Sequence, residues 1–211
     1  MNCTQYDEDY YQRGIETGKS CYQQYRWVPE LTIPMAVAMI DTLDIRPGHT
    51  VLDFGCALGY LVKAFRLLRR KAFGVDCSEY AIQNADPSVR NLCYFSNGDN
   101  KPLIMDMTFD FCVAKDVFEH IEEERLSEEI GRIKAKMMFA VIPLGEDCKY
   151  VAPSNGFDKT HVICESKRWW IDQFRYMNWV TRDFSYQIPG IKDSYYEKYP
   201  ESFGFFILAP L

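Results

Sequence analysis

Two apolar runs in the first half of the chain end in acidic residues, and both acids could bind a small molecule. The run TVLDF contains Asp53 and is followed by a turn with Gly55 and Gly59, while the run KAFGVD ends in Asp76. If both runs are parallel strands, their carboxyl ends meet at the edge of the sheet where open α/β folds bind ligands. Asp76 follows the turn by about 20 residues, a spacing at which a carboxylate accepts hydrogen bonds from both hydroxyls of a ribose.

The glycine turn does not match the common phosphate-binding loops. A dinucleotide fingerprint that begins at Gly55 requires glycine at position 57 and glycine or alanine at position 60, where this chain has Ala57 and Tyr60. A P-loop is also excluded, because no Gly-Lys-Ser/Thr follows. The pattern therefore favours a nucleoside without a phosphate, and Asp99 in NGDN is placed to accept a hydrogen bond from an exocyclic amine.

Four stretches of the chain, VLDFGCALGYLVKAF, FGVDCSEYAI, NGDN and DFCVAKDVFEHI, resemble the successive motifs of class I S-adenosylmethionine-dependent methyltransferases. The resemblance covers roughly residues 45–145 and implies S-adenosyl-L-methionine as cofactor and S-adenosyl-L-homocysteine as product. It implies that Asp76 binds the ribose, that Asp99 faces the adenine and that Asp53 either contacts the ligand or holds the loop through backbone amides. The cofactor-binding residues expected in this core are Asp53, Gly55, Cys56, Ala57, Gly59, Asp76, Cys77, Asp99, Lys115, Asp116 and Val117.

The N-terminal stretch YYQRGIETGKSCYQQYRW resembles the helical lid that many small-molecule members of this family fold over the cofactor. Tyr11, Tyr22 and Arg26 lie on one face of an approximate helix, so we predict that all three face the cofactor. Arg26 would pair with the cofactor's carboxylate, and a tyrosine would shield the sulfonium. The alternative is that the tyrosines pack against the sheet with their hydroxyls at the surface.

Methyl transfer from a sulfonium is an in-line displacement that requires alignment of the acceptor and exclusion of water. An oxygen acceptor of high pKa also requires a base, and the candidate catalytic residues are His161, His120 and Asp116. His161 lies in FDKTHV, and this stretch with the following SKRWWIDQF resembles one found in sugar and other glycan methyltransferases. His120 resembles the histidine of the family's EH pair, which usually supports the floor of the site. We therefore predict O-methylation of a small molecule or saccharide.

Two other functions are compatible with the same residues. One is a nucleotide-dependent oxidoreductase or epimerase on a similar sheet, against which Ala57 and Tyr60 argue. The other is a scaffold protein that binds the cofactor without turnover, against which the candidate bases argue.

The elements that position these residues alternate between strand and helix from residue 45 onward, which predicts an α/β fold. We expect a Rossmann-like, doubly wound, mostly parallel seven-stranded sheet with an antiparallel edge strand and an N-terminal helical lid. The chain is interpreted as a single domain, 1–211, with a lid over 1–44, a cofactor-binding core over 45–145 and an acceptor-side tail over 146–211. Residues 8–42 are predicted to be helical with interruptions at Pro29 and Pro34, Ser78 and Ser166 are predicted helix caps, and a short strand is expected before Ser166.

The composition of the chain limits the classes of partner that it can bind. The formal net charge of the 211 residues is -6, which disfavours a nucleic-acid partner held by its phosphates. No apolar run approaches the roughly 20 residues that span a bilayer, and the N-terminus is unlike a signal peptide, so we predict a cytoplasmic protein with no membrane partner. The eight cysteines form no CxxC pair, which predicts reduced thiols and no metal site. No oligomeric state is predicted.

Overall fold

Apolar runs form the strands of a central sheet, and amphipathic segments form the helices that cover it. The computed structural model describes residues 3–98 and 100–211. The strands are β1 (Thr50–Phe54), β2 (Lys71–Asp76), β3 (Cys93–Phe95), β4 (Phe109–Lys115), β5 (Ala135–Pro143), β6 (Gly145–Glu146), β7 (Lys149–Tyr150), β8 (Trp179–Ser185) and β9 (Phe203–Pro210). The helices are α1 (Glu8–Gln12), α2 (Gly14–Thr17), α3 (Pro29–Leu43), α4 (Tyr60–Leu67), α5 (Glu79–Gln83), α6 (Glu123–Gly131), α7 (Lys167–Tyr176) and α8 (Asp193–Tyr196).

Seven of these strands form one sheet in the order β3-β2-β1-β4-β5-β9-β8. The first five are parallel, and Asp53 of β1 is in register with Gly74 of β2 and Val113 of β4. The strand order reverses between β1 and β4, and ligands of open α/β sheets bind in the crevice at such a reversal. The predicted fold class and the predicted strand at each of the seven positions are confirmed.

The two late strands form the predicted antiparallel addition at one edge of the sheet. β9 runs antiparallel to β5, with Pro143 paired to Phe203, and β8 runs antiparallel to β9, with Trp179 paired to Pro210. The last strand of the chain is therefore the inner strand of the addition, and β8 is the outer strand. This arrangement satisfies the backbone groups of β9 on both sides.

The sheet is buried on both faces, which explains why its strands are almost continuously apolar. Leu52 and Cys112 belong to the core on one face, where Trp170 and Phe174 of α7 pack. Their neighbours Val51 and Phe111 belong to the core on the other face, together with residues of α3 and α4. Side chains alternate between faces along a strand, so one apolar run supplies both cores.

The predicted helical segment over 8–42 is divided into three helices. Gly18, with φ of 68°, ends α2, and Gln24, with φ of 52°, turns the chain back. The Tyr25 amide then donates to the Tyr11 carbonyl at 2.9 Å, so the returning segment lies against α1. Pro29 begins α3. At this first position the helix makes no hydrogen bond with the backbone N–H, so the N–H that proline lacks is not needed.

Pro34 lies inside α3 and does not interrupt it, contrary to the prediction. Its ring removes one backbone donor from the helix, and the carbonyl four residues earlier belongs to the exposed Glu30, where water can replace the lost bond. The interruption predicted at this position is therefore wrong.

The predicted helix caps are confirmed. The Ser78 side chain accepts a hydrogen bond from the Ala81 amide at the start of α5, and Ser166 accepts one from the Trp169 amide at the start of α7. The short strand expected before Ser166 is wrong, because residues 158–166 form no strand. Among the described residues, no helix has the length and apolarity that spanning a bilayer would demand.

Candidate active site at the carboxyl ends of the central strands

The loop after β1 has a conformation that favours glycine. Gly55, Ala57 and Gly59 all have positive φ, at 82°, 47° and 76°. The amides of Gly55 and Cys56 donate to the Val75 carbonyl at 2.8 and 3.0 Å, which ties the loop to the end of β2. A Cβ atom added at Gly55 would lie 2.5 Å from Val117 Cγ2. Glycine is therefore favoured at this position, where it leaves room for Val117 and also lines a cavity.

Asp76 is held rigidly beside this loop. Its Oδ2 accepts from the Ala57 amide and its Oδ1 from the Ser78 amide, both at 2.7 Å. Burial raises the pKa of Asp76, and the backbone hydrogen bonds oppose that rise. Each carboxylate oxygen can accept a further hydrogen bond, and Asp76 lines a cavity, so it can bind two hydroxyl groups of a ligand.

Most of the predicted site residues line a cavity beside Asp76. Ten predicted residues line it: Tyr11, Tyr22, Gly55, Ala57, Asp76, Cys77, Lys115, Asp116, Val117 and His120. Sequence reasoning missed other lining residues, among them Tyr6, Tyr10, Tyr25, Ser96, Asn97 and Glu129. Ser96 and Asn97 follow β3 directly, so their position at a strand end was a signal that could have identified them.

The other predicted residues lie elsewhere. Arg26, Asp53 and Cys56 line a second, adjoining cavity, where Arg26 is exposed, and they are not among the residues that line the first cavity. Gly59 lines neither cavity, because it packs against Cys93 below the loop. His161 also lines neither of them. Asp99 lies outside the described residues.

Tyrosine side chains from three segments of the N-terminus cover the first cavity. The rings of Tyr22 and Tyr25 are 4.7 Å apart, and both lie near Tyr11, at 6.3 and 5.6 Å. The prediction of a single inward helical stripe is therefore wrong, since the returning segment after Gly18 brings these rings together. The sequence showed the residue type, but the chain reversal decided the contacts.

Lys115, Asp116 and Lys192 form a charged group where the two cavities meet. Asp116 Oδ2 accepts from the Lys115 ammonium at 2.5 Å and from the Lys192 ammonium at 2.7 Å. Burial favours the neutral carboxyl, but the two ammonium groups outweigh burial and lower the pKa of Asp116. Lys192 lies in the long connection between β8 and β9, and no motif pointed to it.

His120 is oriented by a chain of hydrogen bonds. The Thr160 hydroxyl donates to Asp158 Oδ1 at 2.6 Å, and His120 Nδ1 lies 2.8 Å from the same hydroxyl oxygen. Because the hydroxyl proton goes to Asp158, His120 Nδ1 carries a proton and donates it to Thr160. Burial, with His161 adding to it, lowers the pKa of His120 to about 4. At neutral pH the Nε2 of His120 is therefore an unprotonated acceptor.

Asp158 acts on His120 through the Thr160 hydroxyl. The Asp158 carboxylate also accepts from the Tyr10 hydroxyl at 3.1 Å, which links the N-terminal tyrosines to the histidines. The His120 and His161 rings are adjacent, with centroids 4.5 Å apart. Burial also lowers the pKa of His161.

Glu119 is a buried acid that sequence reasoning missed. Its side chain is 0% exposed, and neither carboxylate oxygen has a hydrogen-bond partner among the described residues. Its Oε1 lies 4.0 Å from His161 Nε2, too far for a hydrogen bond. Burial, with Asp116 adding to it, raises the pKa of Glu119 well above its usual range.

Asp53 is also buried, at 4% exposure. Burial, with Asp76 adding to it, raises the pKa of Asp53 to about 7. The amides of Gly55, Cys56 and Ala57 donate to Val75 and Asp76, so Asp53 is not their hydrogen-bond acceptor. The interpretation that it holds these loop amides is therefore wrong.

The chemistry of the donor set fits a nucleoside cofactor. Asp76 offers acceptors for two hydroxyls, the glycine backbone allows close approach, and tyrosine rings cover the cavity. No cluster of Lys and Arg suited to a pyrophosphate lines this cavity, where Lys115 is the one cationic lining residue among the described residues.

Comparisons with known proteins found similarity to methyltransferases. A family model described as methyltransferase domain matches residues 34–144, which is more than half of the chain. The ribosomal protein L11 methyltransferase of Klebsiella pneumoniae (strain 342) is 42% identical over 62 residues, which are 28% of this chain and 21% of that protein. The chain thus spans about a fifth of the length of the curated relatives it matches.

Solved structures share the fold at low sequence identity. An S-adenosylmethionine-dependent methyltransferase from Clostridium acetobutylicum ATCC 824 superposes with a TM-score of 0.61 at 11% identity, covering 87% of this chain and 92% of that one. Geranyl diphosphate C-methyltransferase from Streptomyces coelicolor A3(2), in complex with Mg²⁺, geranyl diphosphate and S-adenosyl-L-homocysteine, has a TM-score of 0.60 at 14% identity, covering 83% of this chain and 78% of that one. These likenesses show a shared fold.

Proposed function

Since the chain belongs to the methyltransferase-domain family of class I S-adenosylmethionine-dependent methyltransferases, we propose that it methylates an oxygen of a small molecule or saccharide. S-adenosyl-L-methionine, when bound, supplies a methyl group that its sulfonium has already activated. The observation that carries the proposal is the rigid placement of Asp76 beside the glycine loop, where two backbone amides fix its carboxylate.

In this proposal, different residues of the first cavity bind different parts of the cofactor. Asp76 accepts hydrogen bonds from the ribose, and Gly55 keeps the loop backbone open to the methionine portion. Tyr11, Tyr22 and Tyr25 exclude water from the reacting atoms, which strengthens electrostatic interactions inside the site. Arg26 is exposed in the wall of the second cavity, so the tyrosines contribute more to this site than the arginine does.

The acceptor oxygen is placed at the end of the cavity that His120 lines. Nε2 of His120 is unprotonated at neutral pH and can accept the hydrogen bond of a hydroxyl group, which aligns the oxygen for displacement. Asp116 already binds two ammonium groups, so its role is to position Lys115 and Lys192. His161 supports His120 from behind, since their rings are in contact.

The wider setting of the protein is part of the same proposal. From the composition we predict that the protein is cytoplasmic and that its partners do not include nucleic acid. The division into lid, core and tail likewise stays a prediction, as do the individual roles of the site residues.

The binding half of the proposal is tested by calorimetric titration with S-adenosyl-L-homocysteine. We expect Asp76→Ala to weaken binding at least tenfold, because two ribose hydrogen bonds are lost at roughly 1 kcal/mol or more each. Asp76→Asn, which keeps one acceptor oxygen, should fall between the variant and the wild type. Asp110→Asn, at the other end of the sheet, is the matched control and should bind normally. Equal affinity of Asp76→Ala and wild type would show that the cofactor site lies elsewhere.

The catalytic half is tested with cofactor carrying a labelled methyl group and a panel of hydroxylated small molecules and saccharides. We expect label in one acceptor class and none when Asp76→Ala replaces the wild type. Binding of the cofactor with no transfer to any acceptor or cell extract would support the scaffold alternative. Tight binding of NAD in place of S-adenosyl-L-homocysteine would support the oxidoreductase alternative.

A further inference from the structure

Glu119, His120 and His161 bring two imidazoles and one carboxylate together at the acceptor end of the first cavity. One potential ligand atom from each residue lies within 4.8 Å of the other two. We propose that these three residues bind a divalent transition-metal ion. No spacing in the sequence indicated this site, because the three residues converge only after folding.

The Glu119 carboxylate is the strongest argument for a cation. It is completely buried, and neither of its oxygens has a hydrogen-bond partner among the described residues. A buried acid with no partner for either oxygen is costly, by several kcal/mol if it is ionised, so such groups are normally protonated, paired or coordinated to a metal. The nearby ammonium groups of Lys115 and Lys192 do not fill this role, since both bond to Asp116 Oδ2.

His120 has the support that metal-binding histidines usually have. Ligating imidazoles generally donate their other ring N–H to a carboxylate, carbonyl or hydroxyl, which fixes the tautomer and the ring orientation. Here Nδ1 donates to Thr160, whose hydroxyl in turn donates to the buried Asp158. Nε2 is left as the free ligand atom.

The backbone fixes Glu119 and His161 against each other. The amides of Val162 and Ile163 both donate to the Glu119 carbonyl, at 2.8 and 3.0 Å. The loop that carries His161 is therefore attached to the turn that carries Glu119 and His120, although about 40 residues separate them in sequence.

The donor set favours a transition metal over a hard cation. Imidazole nitrogens suit Zn²⁺ and Co²⁺, whereas Mg²⁺ prefers oxygen ligands and keeps several waters. Ligands at about 2.0–2.2 Å from Zn²⁺ lie roughly 3–4 Å from one another. His161 Nε2 and Glu119 Oε1 are 4.0 Å apart and all three ligand atoms lie within 4.8 Å of one another, so small changes of side-chain rotamer would bring them into that range.

An ion with three protein ligands has an open position, as catalytic zinc sites do. His120 lines the first cavity, so an ion held by these residues would be close to the acceptor. The acceptor oxygen would then contact the ion, because His120 Nε2 would bind the ion and could no longer accept the hydrogen bond of the acceptor hydroxyl. Contact between the ion and the acceptor rests on the proposed function, whereas the binding of the ion does not.

The site is tested with full-length protein stripped of metal by a chelator and titrated with Co²⁺ and Zn²⁺. We expect one ion per chain, visible d–d absorption of Co²⁺ typical of nitrogen and oxygen ligands, and a higher melting temperature with Zn²⁺. Glu119→Gln and His161→Gln should each weaken binding at least tenfold and abolish the rise in melting temperature. Glutamine retains the size of the glutamate, and melting curves without metal will show that both variants fold.

His49→Gln is the matched control, because His49 lies before β1, packs on Phe111 and is outside the cluster. It should bind both ions like the wild type. Three results would overturn the inference: no stoichiometric binding by wild type, equal weakening in His49→Gln and His161→Gln, or sulfur-to-cobalt charge-transfer bands that assign the ion to cysteines.

Parallel titration with S-adenosyl-L-homocysteine separates this inference from the proposed function. Cofactor binding without metal binding would overturn the metal site and leave the proposed function intact. Metal binding without cofactor binding would support the metal site and overturn the proposed function.

Discussion

Asp53 and Asp110 lie toward opposite ends of the paired strands β1 and β4, and their surroundings differ sharply. Asp53, toward the carboxyl end of β1, is buried beside Asp76, and its pKa is raised to about 7. Asp110, at the amino end of β4, accepts from the Thr50 amide at 2.8 Å, the Thr50 hydroxyl at 3.1 Å and the Lys136 ammonium at 2.7 Å. These partners lower the pKa of Asp110 to about 2.

The difference shows how the sheet separates stability from function. At the amino end, polar groups have local partners and contribute to folding. At the carboxyl end, Asp53 and Glu119 are buried at a cost, and Gly55 has a backbone conformation that a residue with a side chain would adopt only with strain. Proteins tolerate such departures mainly where a ligand will use them. The three substitutions below test this contrast, from the largest expected effect to the smallest.

Asp53→Asn should stabilise the protein above neutral pH. The folded pKa of about 7 exceeds the usual value of 3.8, so the folded state binds the proton more tightly and wild-type stability falls as pH rises from about 4 to about 7. The asparagine variant lacks this loss and should be more stable by roughly 2–4 kcal/mol at pH 8.

Urea unfolding of both proteins without cofactor, at several pH values from 4 to 8, measures this difference. Other titrating groups are common to the two proteins, so the pH dependence of the difference isolates Asp53. A difference that stays constant over this range would mean that Asp53 is not strained by burial, and the contrast with Asp110 would be lost.

Gly55→Ala should destabilise the protein by about 2 kcal/mol. The new Cβ would meet Val117 Cγ2 at 2.5 Å, and φ of 82° disfavours any side chain. In a double-mutant cycle with Val117→Ala, the steric part should be recovered and the conformational part should persist, which gives a coupling of about 1 kcal/mol. Independent effects of the two substitutions on the free energy of unfolding would contradict the close contact.

Asp110→Asn should lower stability at pH 7 by about 1 kcal/mol. The effect is modest because Lys136 is 70% exposed and water screens the ion pair. The folded pKa of about 2 lies below the usual 3.8, so this stabilisation is present above about pH 4 and is lost as pH falls through 2. Equal destabilisation at pH 7 and pH 2 by urea unfolding would show that packing, rather than charge, accounts for the loss.

The features predicted correctly from sequence are those that local pattern decides. Ser78 and Ser166 cap helices because the sequence places a hydroxyl just before an amphipathic run. The apolar runs became strands because only a parallel sheet buries both faces of such a run. The position of Asp76 followed from its place at a strand end, which topology brings to the ligand edge.

The features predicted wrongly depend on contacts between distant segments. The sequence shows that the N-terminus is rich in tyrosine. The chain reversal after Gly18, and not a helical period, determines which of these rings are in contact. Arg26 does not lie beside Tyr11 as helical spacing predicted but in the wall of the second cavity, and its contact with the cofactor stays a prediction. Lys192 carries no local signal and meets Asp116 only because the connection between β8 and β9 returns to the site.

The sequence by itself determined the strands, the order of the motifs along the chain and the end of the sheet at which the candidate site lies. Periodicity and strand ends are local properties, and a parallel sheet converts them directly into position. Only the tertiary structure decided that Asp158 orients His120 through Thr160, and that Glu119 is buried beside His161 with no hydrogen-bond partner among residues 3–98 and 100–211. Those relations depend on how loops pack on one another, and hydrogen bonds between loops leave no period in the sequence.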